Sequence, residues 1–388
     1  MIPGRGQGGG AGPDWESDLN PEQLRAVTAG DGPMVVFAGA GSGKTRVITY
    51  RIMHLVLARS EDPRSILGLT FTNKAAGELR ERVQRRMPGG AEPPWLGTFH
   101  AFSARLLRVH GERIGIPRDF TIYDDDDQIS VVKRILKLMD LDPQEWSPRR
   151  ILSALDRAKR DGAPRPAARE GAPPWSRDRV IADVMEEYQR RLAEQRALDF
   201  NDLLVRSVEL LEGDAVLRGR LQARFRHVLV DEFQDTNGIQ VKLLGHLAPP
   251  PDANLCVVGD DDQSIYRWRG ADVRNILEFG RLYRGARVVT LTRNYRSTGN
   301  ILAAAAAVIA RNPDRAEKKR APCTGPGDPV VVHACPTEED EARFVARRVR
   351  RLEKGGVPFA RQAVLYRLNA QSRAIEEEHT SYFNLELL

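Results

Sequence analysis

The sequence predicts an α/β protein organised around a mainly parallel sheet, and two features carry that expectation. The first is alternation. Short, β-branched apolar runs (Met34 to Phe37, Ile66 to Leu69, Val228 to Val230, Leu255 to Val258, Val288 to Leu291) are separated by stretches of helical periodicity such as Ala75 to Arg86 and Ile129 to Met139. The second is the chemistry at the end of each run. Polar or glycine-rich residues come at once, and in parallel sheets ligands bind beyond the carboxyl ends of the strands.

The 388 residues exceed one ordinary domain, so two or three are expected. From about His110 to Arg196 the pattern turns helical, broken by the Pro- and Gly-rich stretch Asp161 to Arg177, which predicts a helical insertion with a flexible loop. Asp124 to Asp127 precede a helix, where carboxylates cap free N–H groups and complement the dipole; capping is the preferred reading over metal binding. Ile301 to Ala310 is an Ala-rich helix of about ten residues, too short for the roughly 20 needed to cross a bilayer. No membrane partner is expected. The Gly-rich N-terminus lacks the apolar core of a signal peptide and reads as a disordered lead-in over residues 1–18. Cys256, Cys323 and Cys335 are widely spaced, which favours neither a disulfide framework nor a zinc site and suits a reducing, cytoplasmic compartment. The net charge of +6 and pI of about 9.3 are compatible with a polyanionic partner without requiring one.

Ala38-Gly39-Ala40-Gly41-Ser42-Gly43-Lys44-Thr45 succeeds the first strand and opens a helix. The spacing is that of a P-loop, with Ala38 in place of the first glycine. Glycines allow backbone N–H groups to turn inward around phosphate oxygens at a helix N-terminus. Lys44 would reach the β- and γ-phosphates, and the Thr45 hydroxyl would ligate Mg²⁺. Val228 to Val230, ending in Asp231-Glu232, supplies the second half: Asp231 to hold Mg²⁺, Glu232 to polarise the attacking water. Together they predict binding and hydrolysis of ATP or a related nucleotide.

Further motifs decide which kind of P-loop protein this is. They are Leu19-Asn20-Pro21-Glu22-Gln23, Leu69-Thr70-Phe71-Thr72-Asn73-Lys74-Ala75-Ala76, Gly97-Thr98-Phe99-His100, Leu198-Asp199-Phe200-Asn201-Asp202-Leu203-Leu204, Val230-Asp231-Glu232-Phe233-Gln234-Asp235-Thr236, Gly259 to Gly270, Asn294-Tyr295-Arg296-Ser297-Thr298 and Leu365 to Arg373. In kind and order they resemble the motifs of UvrD/Rep/PcrA-type superfamily 1 DNA helicases, from Leu19 to about Glu377. The resemblance implies a first RecA-like motor domain over 19–110 and 197–277, the helical insertion over 111–196, and a partial second RecA-like domain over 278–388. It also implies that Gln23 reads the adenine edge, that Arg46 and Tyr295 flank the base, that Gln263 senses the γ-phosphate, and that Arg296 acts as an arginine finger.

A motor that walks on any sequence needs aromatic faces for stacking and basic or hydroxyl groups for phosphates, since it cannot depend on base edges. Phe71, Tyr266 and Trp268 match family positions that stack on bases; Thr72, Asn73, His100 and Arg269 lie beside them as candidate DNA contacts. The implied partners are single-stranded DNA and single-strand/duplex junctions, with DNA-repair proteins as candidates and RNA the formal alternative. Translocation in the 3′ to 5′ direction is implied by the resemblance alone.

After Glu377 the expected motifs V and VI and the large insertion of the second motor domain are not found. The sequence therefore raises the expectation of a shortened chain or a broken reading frame, short of one γ-phosphate arginine and unwinding duplex poorly. The alternatives are a nucleotide- and DNA-binding module without unwinding, or the motor of a helicase–nuclease complex.

Overall fold

Alternating strands and helices assemble as expected in a computed structural model, which describes residues 15–87, 92–160, 176–313, 315–316, 318 and 321–383. The chain forms two units, one through Gly327 and one from Asp328 onward. In the first unit the strands are β1 (Met34–Ala38), β2 (Ile66–Thr70), β3 (Trp95–Thr98), β4 (Thr121–Tyr123), β5 (Ala197–Asp199), β6 (His227–Val230), β7 (Leu255–Gly259), β8 (Arg287–Leu291), β9 (Arg293–Asn294) and β10 (Ala321–Pro322). Six of them make one parallel sheet in the order β3-β2-β6-β7-β1-β8. A parallel sheet is covered on both faces, and the strand residues divide by the two-residue period accordingly. Val35, Phe37, Leu67, Leu69, Val228 and Val230 enter one core; Met34, Val36, Ala38, Ile66 and Leu229 enter the other.

The strand at Arg287–Leu291 lies in the stretch expected to open the second motor domain. It instead completes the first sheet, because its register against β1 (Met34 opposite Arg287, Ala38 opposite Leu291) buries Leu291 in the core beneath the P-loop helix. Trp15–Asp18 falls within the expected disordered lead-in, yet it forms a helical turn. Trp15 packs edge-on against Tyr50 and His54, and Tyr50 donates to Asp18 at 2.7 Å. An aromatic anchor and a hydrogen bond hold this turn against the P-loop helix. Residues 1–14 and most of the expected loop at 161–177 lie outside the described residues, as do the closing residues 384–388.

The insertion is helical, with helices Asp125–Leu138, Pro148–Arg160 and Arg177–Glu194 around a core of Val132, Ile135, Leu155, Val184 and Tyr188. The Asp124 run caps as expected: the Asp124 carboxylate accepts from the N–H groups of Asp126 and Asp127, and Asp127 reaches back to Asp124 N–H. The short parallel ladder of β4 and β5, which frames the insertion at its two ends, is not legible in the sequence. Three residues per strand are too few for an alternating pattern to stand out.

The second unit contains helices Glu338–Lys354 and Ala370–Phe383. Among its described residues no strand forms, and Val332 (92%) and Leu365 (93%) are exposed.

Candidate functional site

At the topological switch beside β1, the chain leaves the sheet into the loop Gly39–Gly43 and enters helix Lys44–Met53. Two positions need glycine. Gly41 (φ +74°) and Gly43 (φ +95°) are left-handed, and an added Cβ would lie 2.5 Å from the Arg296 Cβ at the first and 2.6 Å from the Gln23 amide at the second. Ser42 is buried, its hydroxyl donating to Gly39 O at 2.7 Å, which holds the loop's curl.

A cleft of about 430 Å³ opens on this loop, lined by Ala40, Gly41, Gly43, Lys44, Thr45, Arg46, Glu232, Gln263, Tyr295 and Arg296 from four separate motifs. Lys44 Nζ lies 2.8 Å from the Glu232 carboxylate. Glu232 is held in the left-handed region (φ +51°), unusual for a side chain with a Cβ, so the turn at the end of β6 is strained where the sequence places the water-polarising base. Asp231, buried at the strand end, accepts from Glu232 N–H at 2.9 Å; burial first, and then the Glu232 charge, push its carboxyl up to about 7, with Lys44 opposing. Burial and Glu232 likewise push Asp235 up to about 7.

Arg296 reaches the cleft because Asn294 fastens its segment to the P-loop. The Asn294 amide donates to Ala40 O at 2.6 Å, Tyr295 N–H donates to Gly41 O at 3.0 Å, and Asn294 Oδ1 accepts from the N–H groups of Arg296 and Ser297. Tyr295 is steadied by Asn20, whose amide donates to the phenol oxygen at 2.8 Å. Gln23 lies directly against the P-loop. It is buried, accepts from Asn20 N–H through Oε1, which closes the capping box of its own helix, and donates through Nε2 to Ser42 O at 2.8 Å, so the amide ties that helix to the P-loop. Glu78 and Arg82, which the motifs do not single out, also line the cleft from helix Asn73–Gln84. Their i,i+4 spacing on one helical face just after Thr72 is the available signal.

Gln234 ties the end of β6 to the loop after β7. Its Nε2 donates to Glu232 at 2.9 Å and Asp235 at 3.2 Å, while its Oε1 accepts from Asp260 N–H at 2.9 Å. Gln263 in turn donates to Asp260 at 2.5 Å. Burial would raise the Asp260 carboxyl, but Lys318 and the Gln263 hydrogen bond outweigh it and hold it below the usual carboxylate range.

Past the ends of β2 and β7, three aromatics form a ladder. Phe71 stacks on Tyr266 (centroids 5.1 Å apart, 28° between planes), Tyr266 neighbours Trp268 at 6.4 Å, and the Arg269 guanidinium lies 4.6 Å from the Trp268 ring centre. Trp268 is 70% exposed, so the ladder ends on an open indole face. Thr72 and Asn73 begin the helix beside Phe71, and the Thr72 hydroxyl accepts from Ala75 N–H as its cap. His100 packs edge-on against Phe200, 6.0 Å away, and burial pushes its imidazole pKa down.

The family model for the UvrD/REP helicase N-terminal domain matches residues 19–284, and that for the UvrD-like helicase C-terminal domain matches 289–381. The chain belongs to the UvrD/REP helicase family. Relatives include the ATP-dependent DNA helicase PcrA of Staphylococcus aureus, 43% identical over 360 residues, and that of Staphylococcus epidermidis, 42% identical over 361 residues. These alignments cover 92% and 93% of this chain and 49% of each relative, so the chain spans about half the length of the curated relatives it matches. Among the described residues no helix of this UvrD/REP family member is long and apolar enough to cross a membrane.

Proposed function

We propose that this chain is the nucleotide-hydrolysing part of an ATP-dependent DNA helicase that moves 3′ to 5′ on single-stranded DNA. One observation carries the reading: Lys44, Glu232, Gln263 and Arg296, from motifs far apart in sequence, line one cleft over a glycine loop at a helix N-terminus. In this reading Lys44 exchanges its Glu232 partner for the β- and γ-phosphates, which frees the Glu232 carboxylate to orient and polarise the attacking water. Arg296 neutralises charge on the transferred group, Gln263 senses the γ-phosphate, and Arg46 and Tyr295 flank the base.

The residues fit Mg²⁺. The Asp231 carboxylate and Thr45 hydroxyl offer hard oxygen ligands, and Asp235 Oδ1, within electrostatic reach of Glu232 and Lys44, is buried without a hydrogen-bond partner. Bound there, Mg²⁺ would neutralise negative charge that develops on the phosphate oxygens.

The Phe71–Tyr266–Trp268 ladder with Arg269 supports single-stranded DNA and its junctions as the track, because stacking on π-faces tolerates every base. Closure of the cleft around nucleotide would shift the loop that carries Gln263, Tyr266 and Trp268 relative to Phe71, coupling hydrolysis to stepping.

Steady-state ATP hydrolysis by the purified chain, with and without single-stranded DNA, tests this beside Lys44→Ala. The expected outcome is DNA-stimulated turnover that falls by about 10²–10³-fold in the variant. DNA-independent turnover, or none in the parent chain, would overturn the proposal; turnover without strand displacement would confine it to a DNA-stimulated ATPase.

A further inference from the structure

Lys318 belongs to none of the motifs that build the cleft, yet its ammonium is almost wholly enclosed, with a side-chain exposure of 1%. It pairs with Asp260 at 2.5 Å, with Asp261, and with Asp262 at 3.2 Å. A lysine ammonium has three donors and here meets a run of three carboxylates. Two further contacts close the clasp: Arg315 pairs with Asp262 at 3.3 Å, and Ala316 N–H donates to Asp261 at 2.7 Å.

The clasped loop ends in Gln263, whose amide is held by Asp260. Through Asp260 N–H and Gln234 the same loop reaches Glu232. The clasp also has a fixed origin. Lys318 lies just before β10, which pairs with β9 in the segment that Asn294 pins to the P-loop two residues ahead of Arg296. One stretch of chain therefore presents Arg296 to the cleft at its start and grips the Gln263 loop at its end.

We infer that Lys318 is a positioning residue for nucleotide hydrolysis, fixing the Asp260–Gln263 loop relative to Arg296 and Glu232. The inference rests on the proposed hydrolytic function. A buried ammonium facing three carboxylates is a poor device for stability alone, since desolvation offsets most of the attraction. What it supplies is a unique register between two segments that must act together.

The test compares Lys318→Met, Lys318→Arg and Asp261→Asn in the full chain. Asp261→Asn weakens the clasp without leaving a cluster of uncompensated charge, so it remains informative if Lys318→Met fails to fold. Two readouts are taken: hydrogen exchange of the amides from Gln263 to Trp268 without nucleotide, and kcat and KM for DNA-stimulated ATP hydrolysis per folded molecule. Expected are faster loop exchange and a kcat lower by about tenfold in Lys318→Met, less in Asp261→Asn, with partial rescue by Lys318→Arg. KM should stay within about threefold of the parent value.

Unchanged loop exchange in both Lys318→Met and Asp261→Asn overturns the clasp. Faster exchange with unchanged kcat overturns the positioning role and leaves a purely structural ion cluster. A parent chain that shows no turnover removes the hydrolytic reading and the role with it, an outcome the exchange measurement tells apart from a failed clasp.

Discussion

Replacing Lys159 with methionine tests how the helical insertion is fastened to the motor domain. Lys159, on helix Pro148–Arg160, is buried and pairs with Asp199 and, at 2.8 Å, with Asp202, the two carboxylates that form the capping box of helix Phe200–Gly213. Tyr188, from the third helix of the insertion, donates to Asp199 at 3.1 Å. Removing that cation leaves both carboxylates buried, which costs about 3–5 kcal/mol.

The loss should depend on pH. Burial first, then the Asp202 charge, already raise the Asp199 carboxyl from 3.8 to about 6 despite Lys159. For a carboxyl raised by folding, the linked stability is fully present below the unfolded value and disappears as pH rises through the folded one. Without Lys159 the folded value climbs further, so the variant takes up a proton between pH 8 and pH 6 that the parent does not. Each pH unit in that window is worth about 1.4 kcal/mol. The expected loss is therefore about 3–5 kcal/mol at pH 8 and about 2–3 kcal/mol less at pH 5. Urea unfolding monitored by tryptophan fluorescence reads it, with Trp146 packed on the insertion's core. Adding Asp199→Asn should recover most of the loss. A loss under about 1 kcal/mol at pH 8, or one that does not change with pH, would refute the reasoning.

The site itself yields two more expected outcomes. Gly41→Ala puts a methyl group at φ +74° and 2.5 Å from Arg296 Cβ, so it should displace the Arg296 segment and lower kcat by at least about tenfold; wild-type turnover by this variant would show that Arg296 does not approach the P-loop. Trp268→Ala should weaken single-stranded DNA binding by about 1–3 kcal/mol. Fluorescence-anisotropy titrations at several salt concentrations should show the salt dependence unchanged, because stacking neutralises no phosphate. A changed slope with unchanged affinity at low salt would assign Trp268 no stacking role.

The sequence by itself determined the parallel-sheet class, the order of the motifs and the residue types at the cleft. Those are local properties. A β-branched run ending in Gly39 to Lys44 or in Asp231-Glu232 announces both a strand and the chemistry at its end, because backbone geometry and side-chain charge are read within a few residues. Capping at Asp124 was legible for the same reason. Only the tertiary structure decided the pairings made over long separations: Gln23 turned inward to brace Ser42, Glu78 and Arg82 brought to the cleft, β8 drawn into the first sheet, Lys159 buried between Asp199 and Asp202, and Lys318 folded onto Asp260–Asp262. An isolated lysine or glutamine carries no periodicity, and its partner is chosen by which segments the sheet order brings together.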